Sequence, residues 1–199
     1  MRFLMESKIR RDIISHDSIA QGNLWHRDTD ADIQILQPER FIPDMIVSGG
    51  QSGSDYGSLL GAKSLEICTG GYAPRDFKTE NGPKPDLGRV FGLIALDSDD
   101  YSLRTEWNIY VCDAVIVTAR DFRSPGTLLT RKLAHLHRKP LFEVHFPFGN
   151  APESAFLEQD LVAWLIYHTP GIVMFAGNRE SKAHGIEDWT RRLVVKLFS

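Results

Sequence analysis

The chain has 199 residues, of which 42% are hydrophobic and 25% charged, with a formal net charge of −3. That length suits one medium domain, and the composition is that of an ordinary globular protein with apolar residues enough for a core. The weakly acidic balance excludes a broad basic surface for nucleic acid, and no apolar run reaches the ~18 residues of a membrane span.

The opening stretch MRFLMESKIRRD turns charged after five residues and lacks a secretory apolar region, so the cytoplasm is the expected compartment. Residues 1–43 are polar and mixed. They read as an N-terminal extension, ordered in part through Leu24, Trp25 and Phe41, ahead of one domain over residues 44–199. From residue 44 a strand–helix rhythm sets in. MIVS (45–48) is a short apolar run, and residues 54–65 place Leu59, Leu60 and Ala62 at near-helical spacing. Residues 66–74 read as a short strand and a glycine turn, 76–88 as a polar loop, and 90–97 as an extra strand or a buried extended segment.

Residues 101–112 have helical spacing, with Leu103, Trp107 and Tyr110 on one side. AVIVT (114–118) is a buried strand. Residues 124–138 form a helix with Ser124 at the N-cap and Pro125 at the first helical position. A strand over 140–146, an amphipathic helix over 151–168, a strand over 171–177 and a helix over 185–198 complete the chain. Strands that are continuously apolar and alternate with helices predict an α/β fold, a doubly wound, mostly parallel sheet with helices on both faces. Its ligand crevice lies at the carboxyl ends of the strands.

Four small, polar loops follow strands and fall on that edge: 48–55, 69–71, 118–127 and 176–181. Glycine at a helix mouth lets a ligand reach main-chain N–H groups, and the helix N-terminus attracts an oxyanion. Gly49, Gly50 and Gly53 precede the first helix, but no Lys-Ser/Thr follows, so this is not a Walker loop. A plainer reading is a tight turn with Ser52 and Asp55 as a capping pair. Asp55 would otherwise accept a ribose hydroxyl or hold a divalent cation. Arg104 and Asn108 share one helix face. Arg104 either clamps an anion or pairs with Asp97, Asp99 or Asp100. Arg179 and Glu180 either join the crevice or cap the last helix.

No protein-bound metal site is expected. His135 and His137 lie two apart on a helix and face different ways, and there is no C-x-x-C. No G-x-S-x-G elbow is present either. Trp107, Trp164 and Trp189 occupy apolar helical positions and are expected in the core. Cys68 and Cys112 read as buried thiols of a reducing compartment, with one disulfide as the alternative.

Taken in order, IVSGGQSGSD, ICTGGYAP, TENGP, RTEWN, DAVIV, PGTLLT, KPL and AGNRES resemble the molybdenum-cofactor carrier family. That family sits within a wider superfamily of Rossmann-like nucleotide-binding proteins that also holds the cytokinin-activating phosphoribohydrolases. The resemblance implies a Rossmann-like domain, often a homo-oligomer, that binds a nucleotide or a pterin-like phosphorylated ligand. By the same resemblance, the binding residues are Gly49, Gly50, Gln51, Ser52, Gly53 and Asp55 in the first loop, and Thr69, Gly70 and Gly71 in the second. Arg104 and Asn108 follow in the middle helix. The later set is Ser124, Pro125, Gly126, Thr127 and Thr130, then Gly177, Asn178, Glu180 and Ser181. In the phosphoribohydrolases a glutamate follows the G-T pair for N-glycosidic cleavage, and here Thr130 stands in its place.

The reading reached from the sequence is a binding protein for a phosphorylated small molecule, a nucleotide or molybdenum cofactor, without nucleic-acid or membrane partners. The alternatives are a nucleotide N-glycosidic hydrolase using Glu180 or Glu106 as its acid, and a scaffold whose glycines only turn corners.

Overall fold

The computed structural model describes residues 41–147 and 155–199. Within them, the apolar runs identified above become five parallel strands: β1 (Met45–Val47), β2 (Cys68–Gly70), β7 (Ala114–Ala119), β8 (Leu141–His145) and β9 (Ile172–Gly177). Their order is β2-β1-β9-β7-β8, so the last strand lies at the centre of the sheet. Both ladders of β9 are parallel, pairing Ile46 with Val173 on one side and Ile116 with Phe175 on the other.

Successive side chains of a strand point to opposite faces, and here both faces are covered. Ile46, Ile116, Val173 and Phe175 pack against α5 (Ala155–His168) and α6 (Ile186–Phe198). Val47, Val115, Val117 and Met174 pack on the other face, against α3 (Tyr101–Val111) and α4 (Pro125–Leu136). Helix α1 (Ser54–Ser64) lies beside α6. Their contact is close because α1 carries Gly57 and Gly61. A Cβ on Gly57 would stand 2.1 Å from the Glu187 carbonyl oxygen, and one on Gly61 2.8 Å from that of Arg191. The arrangement is the Rossmann-like α/β fold that the alternation of elements predicts.

The segment between β2 and α3 departs from expectation. The polar loop over 76–88 holds a two-stranded antiparallel hairpin, β4 (Lys78–Thr79) and β5 (Gly82–Pro83), and the start of a short helix, α2 (Asp86–Phe91). The stretch 90–97 is split. Phe91 and Leu93 are buried against Leu59 and Leu87, whereas β6 (Ile94–Ala95) is exposed and pairs with β3 (Tyr72–Ala73).

Two core assignments are corrected. Cys68 is exposed, because β2 is the edge strand, while Cys112 is buried; both thiols are free. Trp107 is 42% exposed, with Leu103 and Tyr110 exposed beside it, because α3 turns Thr105, Asn108 and Ile109 inward instead. Trp189 is buried and Trp164 half-buried against the core, as expected. Of the N-terminal extension, Leu24 and Trp25 lie outside the described residues. Phe41 meets the Phe198 ring edge-on at 6.4 Å. Residues 151–154 of the helix expected over 151–168 also lie outside them. Among the described residues no helix is long and apolar enough to cross a membrane.

Candidate functional site

A parallel sheet puts the carboxyl ends of all its strands on one edge, so the loops after β1, β7 and β9 converge there. Between them lies a cavity of about 80 Å³. Gln51 and Asp55 line it from the first loop and α1, and Tyr101, Arg104 and Thr105 from α3. Gly126 and Thr130 contribute from the first turns of α4, and Gly177 and Arg179 from the end of β9. Nothing lies within 4 Å of where a Gly126 Cβ would be, so the mouth of α4 is open. Helical N–H groups in the first turn have no intrahelical acceptor and carry a partial positive charge.

Arg104 pairs with Asp55 at 2.8 Å, with side-chain exposures of 12% and 5%. Neither Asp97 nor Asp99 takes it, because both pair with Arg75. Asp100 instead caps α3 by accepting the Ser102 N–H. The Asp55 Oδ2 that holds Arg104 also accepts the Gln51 N–H at 3.3 Å. Asp55 is thus no partner in a capping pair with Ser52. The N-cap of α1 is Gly53, whose φ of 80° and ψ of −130° suit glycine alone. Its N–H donates to Glu187 Oε2.

Gln51 is 4% exposed, and its amide is used unequally. Oε1 accepts from the N–H groups of Ser52 (3.1 Å) and Glu80 (2.8 Å). Nε2 is buried without a hydrogen-bond partner among the described residues, and so is Nε of Arg104. Two buried donors without acceptors, on residues that line one cavity, are costly unless an acceptor enters. Arg179 adds an exposed positive charge at the rim, 5.5 Å from the Tyr101 ring centroid.

Several expected site residues are occupied by the protein itself. Asn178 is buried, and its Oδ1 accepts from the N–H groups of Arg120 and Asp121 while Nδ2 donates to the Asp121 carbonyl. It also reaches Ser124 and Thr127, so it ties the β9 loop to the start of α4. Ser124 Oγ donates to Thr127 Oγ1 at 2.9 Å, and Pro125 takes the first helical position as expected. Glu180 accepts the N–H groups of Gly185 and Glu187 at 2.5 and 3.0 Å and thereby caps α6. Thr130 Oγ1 donates to the Gly126 carbonyl at 3.0 Å.

The second glycine loop is not brought to the cavity. Thr69 and Gly70 pair along β1, and a Cβ on Gly71 would stand 2.4 Å from the Ser48 carbonyl oxygen. Asn108 has no exposure and brackets Tyr72, accepting its N–H and donating to its carbonyl at 2.8 Å each. Gly50 packs on Leu87 and Leu93, and Gly177 lies against the Thr118 backbone. Glu106, the other carboxylate considered as an acid, pairs with His137 on the far side of α3.

Glu80 was not singled out by the sequence, although TENGP is among the stretches that carry the resemblance. Its carboxylate accepts from Ser52 Oγ and from both the N–H and Oγ of Ser181. Partial burial opposes its ionisation. The hydroxyls of Ser181 and Ser52, the Ser181 N–H and the charge of Arg179 outweigh that and hold the carboxyl below its ordinary 4.5. Tyr101 and Thr105 were missed as well, since an aromatic and a threonine on a helix carry no local mark of a site. Among the described residues, no group of three or more His, Cys, Asp or Glu is placed to hold a metal ion.

A model of the circularly permutated YpsA SLOG family matches residues 46–198. Among solved structures, the chain is similar to a Syntrophus aciditrophicus SB protein that carries the name molybdenum carrier. The two are 25% identical with a TM-score of 0.68, over 80% of this chain and 97% of that one. No curated protein matches the chain.

Proposed function

The chain belongs to the circularly permutated YpsA SLOG family, and on that premise we propose that it binds a phosphorylated small molecule at the carboxyl ends of its parallel strands. The observation that carries this reading is the pair of buried donors, Gln51 Nε2 and Arg104 Nε, on residues lining the cavity at the mouth of α4. Both want an acceptor, the helix N-terminus favours a negative one, and Arg179 supplies charge that Asp55 does not already neutralise. A cavity of about 80 Å³ has room for a phosphate-sized group rather than a whole nucleotide. The remainder of the ligand extends through the rim.

A nucleotide and the molybdenum cofactor both present a phosphate, and the residues here fit that group. The named donors would hold it, and no protein ligand to molybdenum itself is assigned. With both Glu180 oxygens engaged in capping α6, binding rather than N-glycosidic cleavage is the reading carried forward.

Isothermal calorimetry with AMP, ADP, ADP-ribose, cyclic AMP and molybdopterin tests the reading. At least one is expected to bind, with Gln51→Leu and Arg179→Ala each weakening it by about tenfold, the value of one charge-assisted contact. Absence of binding to every one of them overturns it.

We propose further that the protein is a cytoplasmic homo-oligomer. The exposed Leu103, Trp107 and Tyr110 of α3, which line one groove with His137 just past the end of α4, form the face on which a second copy would pack. Sedimentation of wild type against Trp107→Asp tests it, an unchanged mass counting against that face.

A further inference from the structure

Glu80 stands between the strands of the β4–β5 hairpin, and the two loops that border the cavity hold its carboxylate. Oε1 accepts from Ser52 Oγ and, at 3.2 Å, from the Ser181 N–H, and Oε2 accepts from Ser181 Oγ. The Ser52 hydroxyl oxygen in turn accepts the Glu180 N–H at 3.3 Å. Two hydroxyls and a main-chain N–H, with the Arg179 charge nearby, are the donor set of an oxyanion cradle. The anion now in it is the protein's own.

The cradle adjoins the proposed phosphate cavity through one residue. Gln51 lines the cavity; its buried Nε2 has no hydrogen-bond partner among the described residues, while its Oε1 holds the N–H groups of Ser52 and Glu80. The segment that delivers Glu80 is slight. Its strands pair at two positions only, Lys78 with Pro83 and Thr79 with Gly82. A two-stranded hairpin of that size has little stability of its own, so its place depends on tethers such as those of Glu80 to Ser52 and Ser181.

Resting on the phosphate-binding reading above, we propose that Glu80 is a built-in stand-in for a second phosphate. A diphosphate ligand places one phosphate at the mouth of α4. With the other it displaces the Glu80 carboxylate from Ser52 and Ser181, releasing the 78–83 hairpin. The ligand class is a nucleoside diphosphate or its ester, in preference to a monophosphate.

The experiment titrates AMP and ADP into wild type and Glu80→Gln by calorimetry, with amide hydrogen exchange over residues 78–83 read in the same samples. Removing the competing charge is expected to tighten ADP by about tenfold and AMP by less than about threefold. ADP is expected to speed exchange in the wild-type hairpin, and Ser181→Ala to weaken ADP in the Glu80→Gln background. Equal ADP affinity in both forms with unchanged hairpin exchange, AMP still binding, overturns the proposal and leaves the phosphate site standing. Equal tightening of AMP and ADP overturns it too, since only the general field would then have changed. Binding of neither nucleotide by either form overturns this proposal, and the phosphate site falls with it only if ADP-ribose, cyclic AMP and molybdopterin also fail to bind.

Discussion

The guanidinium of Arg104 occupies the space that a side chain on Gly49 would need: an added Cβ would stand 1.1 Å from Nη1. Asp55 holds that nitrogen at 2.8 Å, and both side chains are largely buried. Glycine at position 49 is therefore required by the charge that lies on it, not by the turn. Arg104→Ala is expected to cost about 3–5 kcal/mol, because it leaves the Asp55 carboxylate buried with no opposite charge and, among the described residues, only the Gln51 N–H as a donor. Gly49→Ala should cost less but weaken anion binding, since it pushes Arg104 from its seat. Urea unfolding checks the first; a loss under about 1 kcal/mol would mean that the pair behaves as an exposed one.

Helix α1 gives a second case in which a glycine serves contact. Alanine is the better helix former by about 1 kcal/mol, so Gly57→Ala at an open site would stabilise the protein. Here the new Cβ would stand 2.1 Å from the Glu187 carbonyl oxygen and force α1 and α6 apart. A net loss of about 1–3 kcal/mol is expected, read as a lowered Tm. A raised Tm would show that the two helices separate freely.

The cysteines separate by burial. Burial pushes the Cys112 thiol up to about 12, so it stays protonated through the neutral range, and it has no exposed surface. Cys68 is exposed on the edge strand. A thiol reagent at neutral pH is expected to modify one cysteine quickly and the second only after denaturant is added. Two fast equivalents in the native protein would contradict the burial of Cys112.

Glu80 sets a pH dependence whose sign follows from its lowered folded-state pKa. A carboxyl more acidic in the folded than in the unfolded chain adds stability above its unfolded value, and that addition is lost as pH falls through the folded one. The stability difference between wild type and Glu80→Gln should be level from about pH 5 to 8 and shrink below about pH 4. Urea midpoints at a series of pH values give the comparison. A difference that grows toward acid pH would reverse the assignment.

Much of the fold was legible because its signals are local. Continuous apolar runs such as Ala114–Ala119 announce strands covered on both faces, and Ser124-Pro125 announces the start of α4, each within a few residues. The carboxyl-end cavity followed from the alternation of strands and helices. The hairpin and short helix in 76–88 were not legible, since stretches so short are marked by turn residues alone.

What the tertiary structure alone decided were pairings between distant parts of the chain. The sequence determined that polar, glycine-rich loops crowd one edge of a parallel sheet. It could not say that Arg104 would choose Asp55 over three nearer aspartates, since that choice depends on α3 meeting the first turn of α1 at the carboxyl edge of the sheet. Nor could it tell that Asn178 and Glu180 brace loops while Gln51 keeps a donor free, because satisfying a buried polar group is a property of its neighbours in space. The same holds for Trp107 and Glu80. Periodicity shows that a face is apolar or a loop polar, and only packing decides what lies against it.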